Sequence, residues 1–131
     1  MQTFLPYPSF EKSAQVLDYK RLGKQRVEGM QIINTLEGRS QAWADHPCTR
    51  MWDGYVDALK AYTNTMILEW CNRRYKNNMQ LYEVGEYEMP FWFGWHVIHS
   101  THRASLLSKS YNFYIQYGWT ELPIQNVYWP V

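Results

Sequence analysis

The stretch RMWDGYVDALKAYTNTMILEWCNRRY, residues 50–75, decides the fold class. Trp52, Tyr55, Val56, Leu59, Tyr62, Thr63, Met66, Ile67 and Trp70 recur at helical spacing and form one broad apolar stripe. The spacing predicts a helix from about Arg50 to Tyr75, and ahead of it Asp45 can cap a helix with Pro47 near the first turn. Upstream, Ser9 can cap a short helix over Phe10–Leu17. Asp18 can cap the next, which Gly38 stops after Glu37. Within that second helix, Tyr19, Leu22, Met30, Ile33 and Leu36 repeat, and Arg26 fills the missing step of the stripe. Pro6 and Pro8 keep the first residues extended.

Downstream, KNNMQLYEVGEYEMP (76–90) is polar and broken by Gly85 and Pro90, so it reads as a loop. A fourth helix is expected over Phe91–Ser108, with Gly94 leaving its start open. The tail from Tyr111 has no clean period and is expected to wrap the helices and bury its aromatics. No strand alternation and no internal repeat is visible. The fold is therefore expected to be all-α: a compact single domain, residues 1–131, of three to four helices with an irregular aromatic C-terminal arm.

Composition narrows the function classes. The 131 residues suit one core, and 46% hydrophobic and 18% aromatic content argue against disorder. Seven Trp and eleven Tyr exceed what a small core needs, so some rings should line a site or an interface. A net charge of +1 means that any grip on nucleic acid must come from local clustering. Cys48 and Cys71 form no CxxC pattern, which fits a reducing compartment. No stretch has the length of a membrane span, and MQTFLPYPSF lacks a leader pattern, so a soluble cytoplasmic protein without a membrane partner is expected.

Two basic clusters stand out. In LDYKRLGKQRVEG (17–29), Lys20, Arg21 and Lys24 can form an electrostatic rim or simply a solvated face. Arg26, on or beside the buried stripe, needs acceptors. Either it pairs with a core carboxylate or helix carbonyls, or it points into a cleft that takes a phosphate or base edge. In WHVIHSTHRASLLSK (95–109), His96, His99 and His102 fan at i, i+3, i+6, a poor spacing for one metal ion, so no metal and no cofactor is expected. One of them can equally be a satisfied core histidine. Cations from two segments with rings between them suit a nucleotide pocket.

The segments KRLGKQRVEG (20–29), AWADHPCTRMWDGYVDALKAY (42–62), HSTHRASLLSKSYNFY (99–114) and YWP (128–130) together resemble the pyrimidine-dimer DNA glycosylase (endonuclease V) family, in its broad bacterial and phage branch. The resemblance implies a small all-α fold acting on DNA. It also implies an N-terminal α-amine that attacks the sugar C1′ of a damaged nucleotide to form an imine, and a glutamate that assists ring opening and strand cleavage. Arg26 falls on the arginine of the motif in which the catalytic glutamate follows directly, but Val27 stands there and Glu28 comes one step, about 100°, later. The classical enzyme exposes a small second residue. Here Gln2 follows, so Met1 supplies the amine. The catalytic candidates are thus Met1, Arg26 and Glu28. The candidates for nucleotide or phosphate binding are Lys20, Arg21, Lys24, His46, His99, His102, Lys109 and Tyr114. The partner is DNA or a nucleotide ligand. The alternatives are a non-catalytic nucleotide binder using the same pocket, and an interaction module whose exposed Trp and Tyr bind protein, with homo-oligomerisation through the aromatic arm as its first sign.

Overall fold

A computed structural model describes residues 1–131. Its regular elements are all helices, in the order α1 (Phe10–Val16), α2 (Tyr19–Leu36), α3 (Pro47–Met51), α4 (Val56–Asn72), α5 (His96–Lys109) and α6 (Tyr111–Tyr114), with a 3₁₀ turn at Ile115–Tyr117. No β-sheet is present; the extended N-terminal segment is a lone strand without a paired neighbour. The all-α reading holds. No helix is long and apolar enough to cross a membrane.

The helix boundaries follow local chemistry. Ser9 caps α1 by accepting the Lys12 N–H at 3.1 Å. The apolar stripe read as one helix from Arg50 is two. Gly54 adopts φ +87° and turns the chain, so α3 and α4 share a stripe without sharing an axis. The cap of α3 is His46 rather than Asp45: His46 Nδ1 accepts the Cys48 N–H at 3.0 Å. Arg74, at φ +67°, ends the turn after α4. Gly94, at φ +91°, delays α5 to His96, five residues after the expected start. Residues 73–95 contain no helix.

One apolar cluster unites the elements. α2 packs along α4, and α1 lies against α4. The buried face of α2 is Leu22, Gln25, Gly29, Ile32 and Ile33, one step away from the expected stripe through Arg26 and Met30. Gly29 allows the close approach: a Cβ there would fall 2.2 Å from Thr63 Oγ1 of α4. Arg73, a residue the sequence did not single out, completes α1 by donating to the Leu17, Ala14 and Gln15 carbonyls at 2.7, 3.0 and 3.2 Å.

The first residues are extended, as the prolines require, and Thr3 to Pro6 are buried. They cross the interior with no partner strand, so their backbone groups must find side chains. Gln25 Oε1 accepts the Phe4 N–H at 2.8 Å, and the Tyr62 hydroxyl lies 2.9 Å from the Phe4 carbonyl. Arg103 donates to the Pro6 carbonyl at 2.8 Å. Thr3 Oγ1 accepts the Trp52 indole N–H at 2.9 Å. The chain terminus is thereby led to the molecular surface along a fixed path.

The C-terminal arm has no regular structure after the 3₁₀ turn. Its aromatics are only partly buried. Trp119 stacks on Tyr114 at 5.6 Å and donates to the Tyr7 hydroxyl, whereas Leu122, Ile124 and Tyr128 remain exposed. An irregular arm cannot satisfy its own backbone, and the Tyr128 N–H turns to the Thr101 hydroxyl at 3.1 Å.

Candidate functional site

The N-terminal strand, α2, the end of α5 and the C-terminal arm enclose a cleft of about 570 Å³. That volume falls within the roughly 300–1,000 Å³ of ordinary small-ligand sites. Lys20, Lys24 and Glu28 line it at i, i+4 spacing along α2, with Arg21 and Gln25 beside them. The strand contributes Met1, Gln2 and Phe4, and α5 contributes Ser105 and Lys109. The arm closes the far wall with Gln125, Val127 and Trp129.

The electrostatics are one-sided. Four cationic side chains and the α-amine face two carboxylates, Asp18 and Glu28. Of the cations, Arg21 is partly neutralised, since it donates to Asp18 at 3.1 Å and to Ser110 at 3.0 Å. Burial alone would raise the Asp18 carboxyl, but hydrogen bonds from Tyr114 and Arg21 outweigh it and hold the group below its ordinary value. The first turn of α2 carries Lys20 and Arg21 and no acidic residue. Cations there oppose the helix dipole at about 0.3–1 kcal/mol each.

The carboxylate of Glu28 is held in place. Gln25 Nε2 donates to Oε2 at 3.0 Å, and the Gln2 backbone N–H points to the same oxygen at 3.4 Å. Gln25 is nearly inaccessible, and its Oε1 is already occupied by the Phe4 N–H. The amide therefore has a forced orientation, with its NH₂ toward Glu28. Glu28 faces the cleft, although it stands one step from the position of the family's motif.

His46 lies behind the arm. Its ring meets Trp129 edge-on at 5.7 Å and Trp43 at 5.8 Å. Desolvation lowers its pKa, the nearby α-amine lowers it further, and Glu28 acts in the opposite sense. His46 thus borders the amine and the carboxylate through Trp129 without lining the cleft itself.

Four expected site residues lie elsewhere. Arg26 is about 200° around α2 from Glu28. Its guanidinium sits 4.1 Å over the Trp70 ring and donates to Asn77 at 2.8 Å, so it pairs with neither a core carboxylate nor helix carbonyls. Tyr114 is buried, accepting the Asp18 N–H and donating to the Asp18 carboxylate. His99 and His102 point inward to the backbone of Leu5. Burial drives His102 down to about 3, so it stays neutral. An inward i, i+3 pair on α5 is what the apolar neighbours Ile98 and Leu106 dictate.

The sequence reading missed Gln25, Gln2 and the arm's Gln125, Val127 and Trp129. Gln25 had a signal, since it lies three residues after Leu22 and four before Gly29 on the buried face. The arm had none, because an aperiodic segment carries no register. No cluster of three His, Cys, Asp or Glu side chains is arranged to hold a metal ion.

No curated protein and no solved structure matches the chain. The family model described as pyrimidine dimer DNA glycosylase matches residues 1–83, which hold the N-terminal strand, all of α2 and the Glu28 face of the cleft. That match spans more than half of the 131 residues, and the chain belongs to the pyrimidine dimer DNA glycosylase family.

Proposed function

We propose that the protein is a DNA glycosylase acting on a damaged or modified pyrimidine nucleotide, with imine-forming lyase chemistry at the Met1 α-amine. The observation that carries this reading is the meeting of Met1 and Glu28 in one cationic cleft, with the Gln2 N–H directed at the Glu28 carboxylate. An α-amine that lines the same cleft as a carboxylate is placed to serve as the nucleophile.

The roles follow from position. Lys20, Lys24 and Lys109 receive the phosphates flanking an extruded nucleotide. Trp129 offers a ring to the base. The unprotonated amine attacks C1′; the C1′–base bond breaks, and the base leaves with the bonding pair and takes up a proton. The Glu28 carboxylate takes the proton that the attached nitrogen sheds and passes it to O4′ as the C1′–O4′ bond opens, and the freed nitrogen lone pair completes the imine. The resulting carboxylate then removes a C2′ proton, the C3′–O bond breaks, and the 3′ phosphate departs. Acid–base assistance of this kind is worth about 10²–10⁴ in rate. Arg26 has no part in these steps, and its place over Trp70 makes it a support of α2.

A second reading, a nucleotide binder without chemistry, is favoured by one feature: the motif arginine is turned away from the cleft. Borohydride trapping separates the two. A duplex carrying a single pyrimidine dimer or an abasic site should yield a covalent adduct with the protein, abolished when the α-amine is blocked. Absence of an adduct, together with stabilisation by a free nucleotide, would leave the binder.

A further inference from the structure

We propose that His99 and His102 are positioning residues for the α-amine, clamping both polar groups of the Leu5 peptide so that the strand ahead of it ends in the cleft. The proposal rests on the amine reading above. The Leu5 N–H donates to His102 Nδ1 at 2.8 Å, and the Leu5 carbonyl accepts from His99 Nδ1 at 2.8 Å. Two imidazoles, one helical turn apart, thus do for a lone strand what a neighbouring strand does in a sheet.

The donors on either side dictate the tautomers. The Leu5 N–H can only donate, so His102 Nδ1 is bare and its proton rides on Nε2. The Gly94 N–H donates to His99 Nε2 at 3.0 Å, so the His99 proton rides on Nδ1, where the Leu5 carbonyl takes it. The His102 Nε2–H is buried with no partner. An orphaned donor is unfavourable, a penalty that a leucine would not incur. Leucine, however, would leave the Leu5 N–H orphaned instead and the strand free.

The reach of the chain shows why the clamp matters. Four residues precede Leu5, and four extended residues span about 13–14 Å. A terminus swinging on that radius would spend its time outside a cleft of about 570 Å³. Phe4 is held from α2 by Gln25, so clamp and amide together leave only the last residues to settle.

Burial is the main cause that lowers both histidines, and the neighbouring charges add to it. Arg103 and His96, both from α5, act on His99, and His99 acts on His102. Arg103 itself is bound to Glu121 and to the Pro6 carbonyl. Phe4 and Phe93 supply the remaining ring contacts.

Amide hydrogen exchange and borohydride trapping on the full chain test this. His102→Asn keeps an acceptor near Nδ1; His102→Gln moves it outward, and His102→Leu removes it. In the Leu variant, exchange at Phe4 and Leu5 should rise at least about tenfold, with Met66 of α4 unchanged. Imine formation on an abasic-site duplex should slow at least about tenfold, with DNA affinity held within about twofold. The Asn variant should restore both rates and the Gln variant neither, and the Gln variant decides if the Leu variant fails to fold. Wild-type exchange and wild-type imine rates in the Leu and Gln variants would overturn the proposal. So would a slowed imine accompanied by equal acceleration at Met66. If the wild-type protein forms no imine, the amine reading falls, and the exchange pattern alone decides whether the clamp exists.

Discussion

Gln25 and Glu28 are joined by a 3.0 Å hydrogen bond that ties the cleft to the core, because the other end of the Gln25 amide accepts the Phe4 N–H and borders the Tyr62 hydroxyl at 2.8 Å. One side chain therefore sets the positions of the strand and of the carboxylate. Gln25→Ala leaves the Phe4 N–H without a partner and deprives Tyr62 of one of its two acceptors. At about 1–3 kcal/mol for a buried group left unpaired, the variant should lose about 3 kcal/mol. Urea unfolding measures that loss, and a drop under about 1 kcal/mol would mean that water replaces the amide.

Glu28→Gln keeps the shape of the side chain and removes its acid–base capacity. Strand cleavage should fall by about 10²–10⁴, while lesion-DNA affinity stays level or rises as a negative charge leaves the cationic cleft. Single-turnover cleavage and binding titrations separate the two quantities. Equal loss in both would make Glu28 a binding group.

The difference between what the sequence revealed and what it hid is clearest along α2. Its existence and its ends at Asp18 and Gly38 are readable from the sequence, although the Asp18 side chain makes no cap hydrogen bond; Lys20, Arg21 and Lys24 line the cleft. The error was rotational. Arg26 looked like an interruption of the apolar stripe, whereas the buried face runs through Gln25 and Gly29, residues that hydropathy does not mark as core. Gln25 is inside because an unpaired strand needs an acceptor, and Gly29 because Thr63 needs room. Neither demand is local. For the same reason the histidines of α5 looked like ligands of a pocket, when their partner is the backbone of a residue almost a hundred positions earlier.

Gly29→Ala tests the helix contact. Alanine gains about 1 kcal/mol of helix propensity, yet its Cβ would sit 2.2 Å from Thr63 Oγ1, which is itself held by the Leu59 carbonyl. Overpacking of that kind costs about 1–3 kcal/mol and more when the neighbour cannot move. A net loss of about 2 kcal/mol is expected. Thr63→Ala in the same background should recover most of it, so a double-mutant cycle should show coupling above about 1 kcal/mol. Additive effects would mean that α2 and α4 simply part.

Salt dependence tests the rim. Each lysine that neutralises a phosphate contributes about 0.9 to the slope of log K against log salt. Lys20→Ala, Lys24→Ala and Lys109→Ala should each lower the slope by about that amount and weaken all sequences alike. Arg26→Ala should leave the slope unchanged and cost stability instead, since its charge is spent on Trp70.

Acid should weaken the fold through its histidines before its carboxylates. His102 falls from 6.5 to about 3 on folding, and burial lowers His99 as well. Below 6.5 the unfolded chain takes up protons that the folded chain refuses, so stability falls as pH drops from about 6.5 toward 3. His46, also lowered, acts in the same direction. Asp18 loses its contribution only below its ordinary value of 3.8, so the interval between about pH 7 and pH 5 isolates the histidines. Urea midpoints should therefore decline across that interval in the wild type and decline less in His102→Asn, which has no proton to gain. Parallel declines in the two proteins would show that His102 is already protonated in the folded chain, and with that its hydrogen bond from the Leu5 N–H would be lost.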